Sequence, residues 1–181
     1  NKTRKKIMHR VLRSIFILLL FSCSVFTQIT EIVFIQLNDV YEIAPLEGGK
    51  FGGLARVKTV IDSIKTKNPY TYVILSGDFI SPSALGTSEY EGKRINGRQM
   101  VDVLNAIGLD YVTFGNHEFD YKYEVLVDRM DQSKFEWISS NVSHNQNGLT
   151  QRFGRIDHSL PSHLILRPPG YLKNNPIKIG L

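Results

Sequence analysis

"TYVILSGD", residues 71–78, is the stretch that decides the fold of this chain. A short apolar run that closes on a glycine and an aspartate is typical of a buried strand followed by a sharp turn. A similar run, "EIVFIQL" (31–37), closes on Asn38-Asp39, and the segment between them (52–68) carries apolar residues at helical spacing. The pattern predicts a β-α-β unit.

The same alternation continues along the chain. It predicts two more helices and two more strands: helix "NGRQMVDVLNAIG" (96–108), strand "DYVTFGN" (110–116), helix "YKYEVLVDRMDQ" (121–132) and strand "FEWISSNV" (135–142). Strands separated by helices imply an α/β fold, a parallel β-sheet with helices packed outside. The segments 81–99 and 143–173 are interpreted as loops.

The length and composition of the chain are those of one globular domain. Its 181 residues are 42% hydrophobic and 10% aromatic, which is enough for a packed core. The net charge is +5, but residues 1–27 hold six basic residues and no acidic one, which leaves 16 basic and 17 acidic residues in the remainder. The domain itself is not basic, so no nucleic-acid polymer is expected as a partner.

The N-terminus is typical of an exported protein. The basic residues run into the uncharged stretch 14–30, whose apolar core is shorter than the roughly 18 residues that a spanning helix needs. We interpret 1–27 as a signal peptide and 28–181 as the domain, in a periplasmic or extracellular location. An amphipathic or buried N-terminal helix is the alternative, but no polar face recurs at helical period.

The single cysteine, Cys23, ends the apolar core in "LFSC". This resembles a bacterial lipoprotein cleavage box, which would make Cys23 a lipidated N-terminus and anchor the protein to a membrane. Ordinary cleavage nearby, for instance before Gln28, would discard it. In both cases the mature domain has no disulfide.

Polar side chains follow three consecutive strands of the predicted sheet. Asp39 follows the first strand, Asp78 the second, and Asn116 and His117 the third. In open α/β sheets, ligands bind beyond the carboxyl ends of the strands. A lone aspartate there is usually a turn residue or a helix cap, but three strands with the same feature favour a site.

The residue types suit metal-assisted phosphoester hydrolysis. Two carboxylates and an amide oxygen are hard ligands for divalent cations, and two such ions about 3.5–4 Å apart stabilise both reacting oxygens and activate a water. His117 would donate a proton or hydrogen bond to the phosphate. Asp120 would hold its imidazole ring in the donor tautomer.

The motifs "LNDVYEI", "SGDFISPS" and "NAIGLDYVTFGNHEFD" resemble those of the calcineurin-like metallophosphoesterases, and within them the secreted 5′-nucleotidase branch, over roughly residues 31–142. The resemblance implies two divalent metal ions, Mn, Zn or Fe. It also implies the roles of five residues: Asp39 binds the first metal, Asp78 bridges both, Asn116 binds the second, and His117 with Asp120 forms the catalytic dyad.

The implied function is hydrolysis of nucleotides or related small phosphomonoesters by attack of metal-bound hydroxide. The alternative is an exported domain that kept the scaffold as a non-catalytic relic or binding module. Lys93, Arg94 and Arg98 could attract an anionic substrate, although surface solvation is their more common role, so no substrate-binding residue is assigned.

Two departures from the family pattern bear on activity. Tyr41 occupies the place of a metal-binding histidine, and either ligates the metal or packs and hydrogen-bonds locally. A later Gly-His-x-His motif is missing, since His144, His158 and His163 are interpreted as surface histidines. We therefore expect the N-terminal part of a metallophosphoesterase domain, without the family's C-terminal nucleotide-binding domain and with weak or no catalysis on its own.

Overall fold

The computed structural model describes residues 4–9, 13, 30–154, 159–167 and 179–180, and the chain divides into two units, residues 1–30 and 31–181. The predicted signal peptide is described only at 4–9 and 13, and Cys23 and His158 lie outside the described residues. In the described ranges, no helix is both long and apolar enough to cross a membrane. The sheet and helices that follow belong to the second unit.

The centre of the second unit is a sheet of four parallel strands in chain order. The strands are β1 (Val33–Leu37), β2 (Thr71–Leu75), β3 (Tyr111–Val112) and β4 (Glu136–Trp137). Leu37 lies opposite Leu75, and Leu75 lies opposite Val112, so the strands end nearly in line. The polar residues that follow them therefore share one edge, as the alternating sequence predicts.

Three helices connect these strands. They are α1 (Leu54–Lys67), α2 (Arg98–Ile107) and α3 (Tyr123–Gln132), and they contact one another in chain order. Gly108 ends α2 with a φ of 81°, a left-handed conformation that glycine adopts without steric cost. The predicted α/β architecture is confirmed.

The core lies between the helices and the sheet. Its buried side chains come from all three helices, from three of the strands and from the turn after β2: Leu54, Ile61, Val73, Leu75, Phe79, Met100, Leu104, Val112, Met130 and Trp137. Burial of this apolar set is the main stabilising contribution to the fold. It also fixes the strand ends on which the polar residues sit.

The strands are shorter than the sequence predicts. The third, predicted over 110–116, is limited to Tyr111–Val112, although the N–H of Thr113 still donates to the carbonyl of Leu75. The N–H groups of Gly115 and His117 bond to side-chain carboxylates instead of a neighbouring strand. The fourth strand, predicted over 135–142, is limited to Glu136–Trp137.

Two segments interpreted as loops contain hairpins. In the first, Glu89–Tyr90 pairs with Lys93–Arg94, and in the second Ser143–Gln146 pairs with Leu149–Arg152. Further antiparallel pairs join Pro45–Leu46 to Phe51–Gly52 and Ile165–Leu166 to Ile179–Gly180. Short 3₁₀ turns cover Glu47–Gly49 and His117–Asp120.

Candidate active site

The turns after β1, β2 and β3 meet at the carboxyl edge of the sheet. The N–H of Asp39 donates to the carbonyl of Gly77 at 3.3 Å, and the N–H of His117 donates to Oδ1 of Asp78 at 2.8 Å. The fold thus brings together three of the predicted site residues. Asn116 precedes the 3₁₀ turn, and its side chain is exposed.

Both aspartates occupy an uncommon backbone conformation. Asp39 has a φ of 52° and Asp78 a φ of 60°, in the left-handed region that L-residues seldom adopt. Such strain persists only where the surrounding structure enforces it, and it concentrates at functional sites. The two carboxylates are therefore held in place by their turns.

Two glycines allow the turns after β2 and β3 to touch. A Cβ added to Gly77 would lie 2.0 Å from the backbone nitrogen of Gly115, and one added to Gly115 would lie 2.1 Å from Oδ1 of Asp78. Neither position has room for a side chain. The close approach of the backbones sets where the Asp78 carboxylate sits.

His117 and Asp120 form the predicted pair. Nδ1 of His117 lies 2.9 Å from Oδ2 of Asp120, and the same oxygen accepts a hydrogen bond from the hydroxyl of Ser81 at 2.9 Å. The hydrogen bond to Asp120 raises the pKa of His117, and the bonds from His117 and Ser81 lower the pKa of Asp120. The side chain of His117 remains 35% exposed, so a substrate can reach it.

Tyr41 donates a hydrogen bond to a site carboxylate. Its hydroxyl lies 3.1 Å from Oδ1 of Asp39, and the side-chain amide of Asn38 donates to Oδ2 at 2.8 Å. These bonds, that of Asn38 first, lower the pKa of Asp39. Burial and the bond to Asp39 raise the pKa of Tyr41 to about 12, which keeps the phenol protonated.

Glu118 is a site residue that the sequence reasoning missed. Its side chain is completely buried, and its two oxygens accept four backbone N–H bonds from the turns after β2 and β3. Three of its four hydrogen-bond partners lie 38 to 40 residues away, so no local pattern could reveal its role.

The remaining candidates make contacts of their own. Arg94 lies 3.8 Å from Glu89 and Arg98 lies 3.6 Å from Asp102, both on the surface. His144 lies on a strand rather than in the predicted loop, and its ring packs edge-on against Tyr123.

The donor set fits a hard divalent cation. Among the described residues, no group of three or more His, Cys, Asp and Glu side chains is arranged as a metal site. The edge does offer the two strained carboxylates, and the amide oxygen of Asn116 follows the third strand. Oxygen donors of this kind suit Mg²⁺ or Mn²⁺ better than a soft metal.

The class of protein follows from this fold and these motifs together with a direct comparison. The profile of the calcineurin-like phosphoesterases matches residues 32–174, and the chain belongs to this family. The resemblance expected from the three sequence motifs is therefore confirmed.

Several characterised proteins are similar in sequence. A 2′,3′-cyclic-nucleotide 2′-phosphodiesterase/3′-nucleotidase of Haemophilus influenzae is 31% identical over 108 residues, which cover 58% of this chain and 16% of that protein. A snake venom 5′-nucleotidase of Gloydius brevicauda is 27% identical over 126 residues, which cover 62% of this chain and 20% of that protein. The match spans only about a fifth or less of each relative.

Solved structures show the same fold. The calcineurin-like phosphoesterase YfkN of Bacillus subtilis aligns with a TM-score of 0.57 at 21% identity, over 82% of this chain and 46% of that one. The NAD nucleotidase of Haemophilus influenzae aligns with a TM-score of 0.58 at 22% identity, over 77% of this chain and 27% of that one.

Proposed function

We propose that this chain contributes the residues of a metal-dependent site that hydrolyses nucleotides or related phosphomonoesters. The observation that carries the proposal is the hydrogen bond from the N–H of His117 to Oδ1 of Asp78, which joins the proposed proton donor to the proposed metal ligand. Relatives named as nucleotidases and a nucleotide phosphodiesterase support this substrate class.

In this proposal Asp39, Asp78 and Asn116 would hold two divalent cations, Mn, Zn or Fe, and Asp78 would be a ligand shared by both. When bound, the cations supply positive charge to the phosphoryl oxygens and an activated water. The two carboxylates and the amide come from three different turns, so the fold rather than any one segment sets their spacing.

His117 acts on the substrate through Nε2. Asp120 occupies Nδ1 and raises the pKa of the ring, which favours the form that carries a proton on both nitrogens. Nε2 then donates to the phosphoryl oxygen on which charge develops. Ser81 keeps the Asp120 carboxylate facing the ring.

The test is hydrolysis of AMP with added Mn²⁺ by the complete gene product, compared with its His117→Ala variant. We expect the variant to be slower by about 100-fold or more, and residues 1–181 alone to be slow or inactive. Full activity in the variant would remove His117 from the mechanism.

A non-catalytic scaffold is the second candidate, and the contact between Tyr41 and Asp39 favours it. A phenol that donates to the carboxylate replaces the histidine ligand that the family resemblance implies at this place. In that case the complete gene product has no metal-dependent turnover. Turnover gained on Tyr41→His would instead indicate a catalytic site that lacks one ligand.

We also propose that the protein is exported, with residues 1–27 removed or, if Cys23 is lipidated, retained in part as an anchor. The division of the chain after Thr30 lies close to the proposed cleavage region. Mass spectrometry of the mature N-terminus distinguishes a lipidated Cys23 from a start near Gln28.

A further inference from the structure

Glu118 is a buried carboxylate at the centre of the candidate site. It is 0% exposed, although it lies between His117 and the exposed Phe119 in a short turn. A carboxylate removed from water is costly unless hydrogen bonds replace its hydration. The hydrogen bonds to Glu118 therefore show what replaces the lost hydration of its carboxylate.

Within the described part of the chain, Glu118 accepts four hydrogen bonds, and all of them come from backbone N–H groups. Oε2 accepts from Asp78 at 2.8 Å and from Gly115 at 2.6 Å. Oε1 accepts from Phe79 at 2.9 Å and, at a longer 3.4 Å, from Ile80. A carboxylate only accepts, so it suits four converging donors.

The donors belong to two different turns. Three of them are consecutive residues after β2, and the fourth follows β3. One side chain thus ties together the two backbone segments that carry Asp78 and His117. The contact between the turns is fixed by Glu118 as well as by the two glycines.

The connections close a ring. Glu118 holds the backbone of Asp78 in its left-handed conformation, Oδ1 of Asp78 accepts the N–H of His117, and His117 is covalently joined to Glu118. A displacement of Asp78, His117 or Glu118 would therefore displace the other two residues. The ring thereby sets the position of the Asp78 carboxylate relative to the imidazole.

We propose that Glu118 is a positioning residue of this site, whose carboxylate clamps the turn bearing Asp78 to the turn bearing Asn116 and His117. The inference rests on the proposed function, in that the clamped carboxylate is the proposed bridging ligand. Glu118 does not touch substrate or metal in this role. Mutation of a residue that orients a metal-binding side chain without touching the metal typically changes metal affinity 10–100-fold.

The experiment uses Glu118→Gln, which keeps the size of the side chain but replaces one acceptor oxygen with an amide NH₂ donor. At least one pair of N–H groups then loses its acceptor. Val101→Ala is the control, because Val101 is completely buried in α2 and the change destabilises the core while keeping the Glu118 carboxylate. Both variants are measured well below their unfolding temperatures.

The first readout is amide hydrogen exchange, which requires no metal. In Glu118→Gln we expect exchange at Asp78, Phe79, Ile80 and Gly115 to accelerate at least tenfold beyond that of core amides. In Val101→Ala the core and turn amides should accelerate together. Unchanged or uniform exchange in Glu118→Gln would overturn the proposal.

The second readout is Mn²⁺ affinity by titration calorimetry. We expect Glu118→Gln to bind at least tenfold more weakly than the parent chain and Val101→Ala to bind equally well. An equal loss in both would reduce Glu118 to a general stabilising role and overturn the proposal. A complete gene product that binds no Mn²⁺ would overturn the proposed function, and hydrogen exchange would still decide whether Glu118 clamps the turns.

If Glu118→Gln fails to fold, Glu118→Asp takes its place. The shorter side chain keeps the charge but cannot reach both turns at the same distances. We expect a selective, smaller acceleration of exchange at the same four amides, and a uniform change would count against the clamp.

Discussion

Oδ1 of Asp78 accepts the backbone N–H of His117 at 2.8 Å, although the two residues lie 39 positions apart in the sequence. The proposed bridging carboxylate and the proposed proton donor are therefore one hydrogen-bonded unit. A change at Asp78 can therefore reach His117 through this backbone hydrogen bond.

Asp78→Asn should remove the negative charge of the side chain while keeping the conformation of the turn. Asparagine keeps an oxygen for the N–H of His117 and tolerates the left-handed backbone at this position. We expect the thermal unfolding temperature to change little and Mn²⁺ affinity to fall at least tenfold, because a neutral amide is a weaker ligand. Asp62→Asn, an exposed carboxylate in α1, is the control for loss of charge. Equal Mn²⁺ affinity in Asp78→Asn and the parent would contradict the ligand assignment.

Asp120→Asn should lower the pKa of His117. The hydrogen bond to Asp120 is the largest cause of the raised value, and an amide does not favour the imidazolium in the same way. NMR titration of the metal-free chain measures this directly, again with Asp62→Asn as the control. An unchanged His117 titration would show that the pair is not coupled.

The same pair makes stability depend on pH. Because folding raises the pKa of His117, its contribution is complete below the unfolded value of about 6.5 and is lost as the pH rises through the folded value. Asp120→Asn should thus lower the unfolding temperature of the metal-free chain more at pH 6 than at pH 9. An equal decrease at both pH values would contradict the ion pair.

Tyr41→Phe tests whether the phenol is a ligand. Its hydroxyl donates to Asp39, and its pKa of about 12 opposes ionisation. We expect Mn²⁺ affinity to remain within about threefold of the parent. The pKa of Asp39 should rise, because one of the hydrogen bonds that lower it is gone. A tenfold or larger loss of affinity would instead make Tyr41 a ligand.

Gly115→Ala should force the two turns apart. The new methyl group would lie 2.1 Å from Oδ1 of Asp78 and 2.7 Å from its backbone nitrogen. We expect a loss of about 1–3 kcal/mol in the free energy of unfolding, measured with urea, together with weakened Mn²⁺ binding. Gly180→Ala, where nothing lies within 4 Å of the added carbon, is the matched control. A neutral Gly115→Ala would contradict the tight contact.

The alternation of strands and helices could be predicted because the spacing of apolar residues differs between the strands and the helices. The strand after α2 was predicted too long, since the apolar run through Phe114 continues after the ladder has ended at Val112. The hydrogen bonds between β2 and β3 end where the next backbone N–H groups bond to other acceptors. The N–H of Gly115 donates to Glu118, whose carboxylate also accepts the N–H of Asp78 in a long-range contact that the sequence does not reveal.

The hairpin around Asn147-Gly148 carried a signal that was overlooked. Both residues have positive φ, 55° and 82°, as expected for Asn-Gly in a tight two-residue turn. The ring contact of His144 with Tyr123 follows from that hairpin. Asp39, Asp78, Asn116, His117 and Asp120 were proposed from motif and position, and their roles stay predictions.

Glu118 closes a loop of 38 to 40 residues, whereas the hairpin 143–152 pairs near neighbours. Closing a long loop costs chain entropy before any contact compensates for it, so we expect the clamp to form after the folding transition state. Interactions that form so late slow unfolding rather than speed folding. A ligand bound across these two turns should therefore lengthen the lifetime of the native protein while leaving its folding rate unchanged.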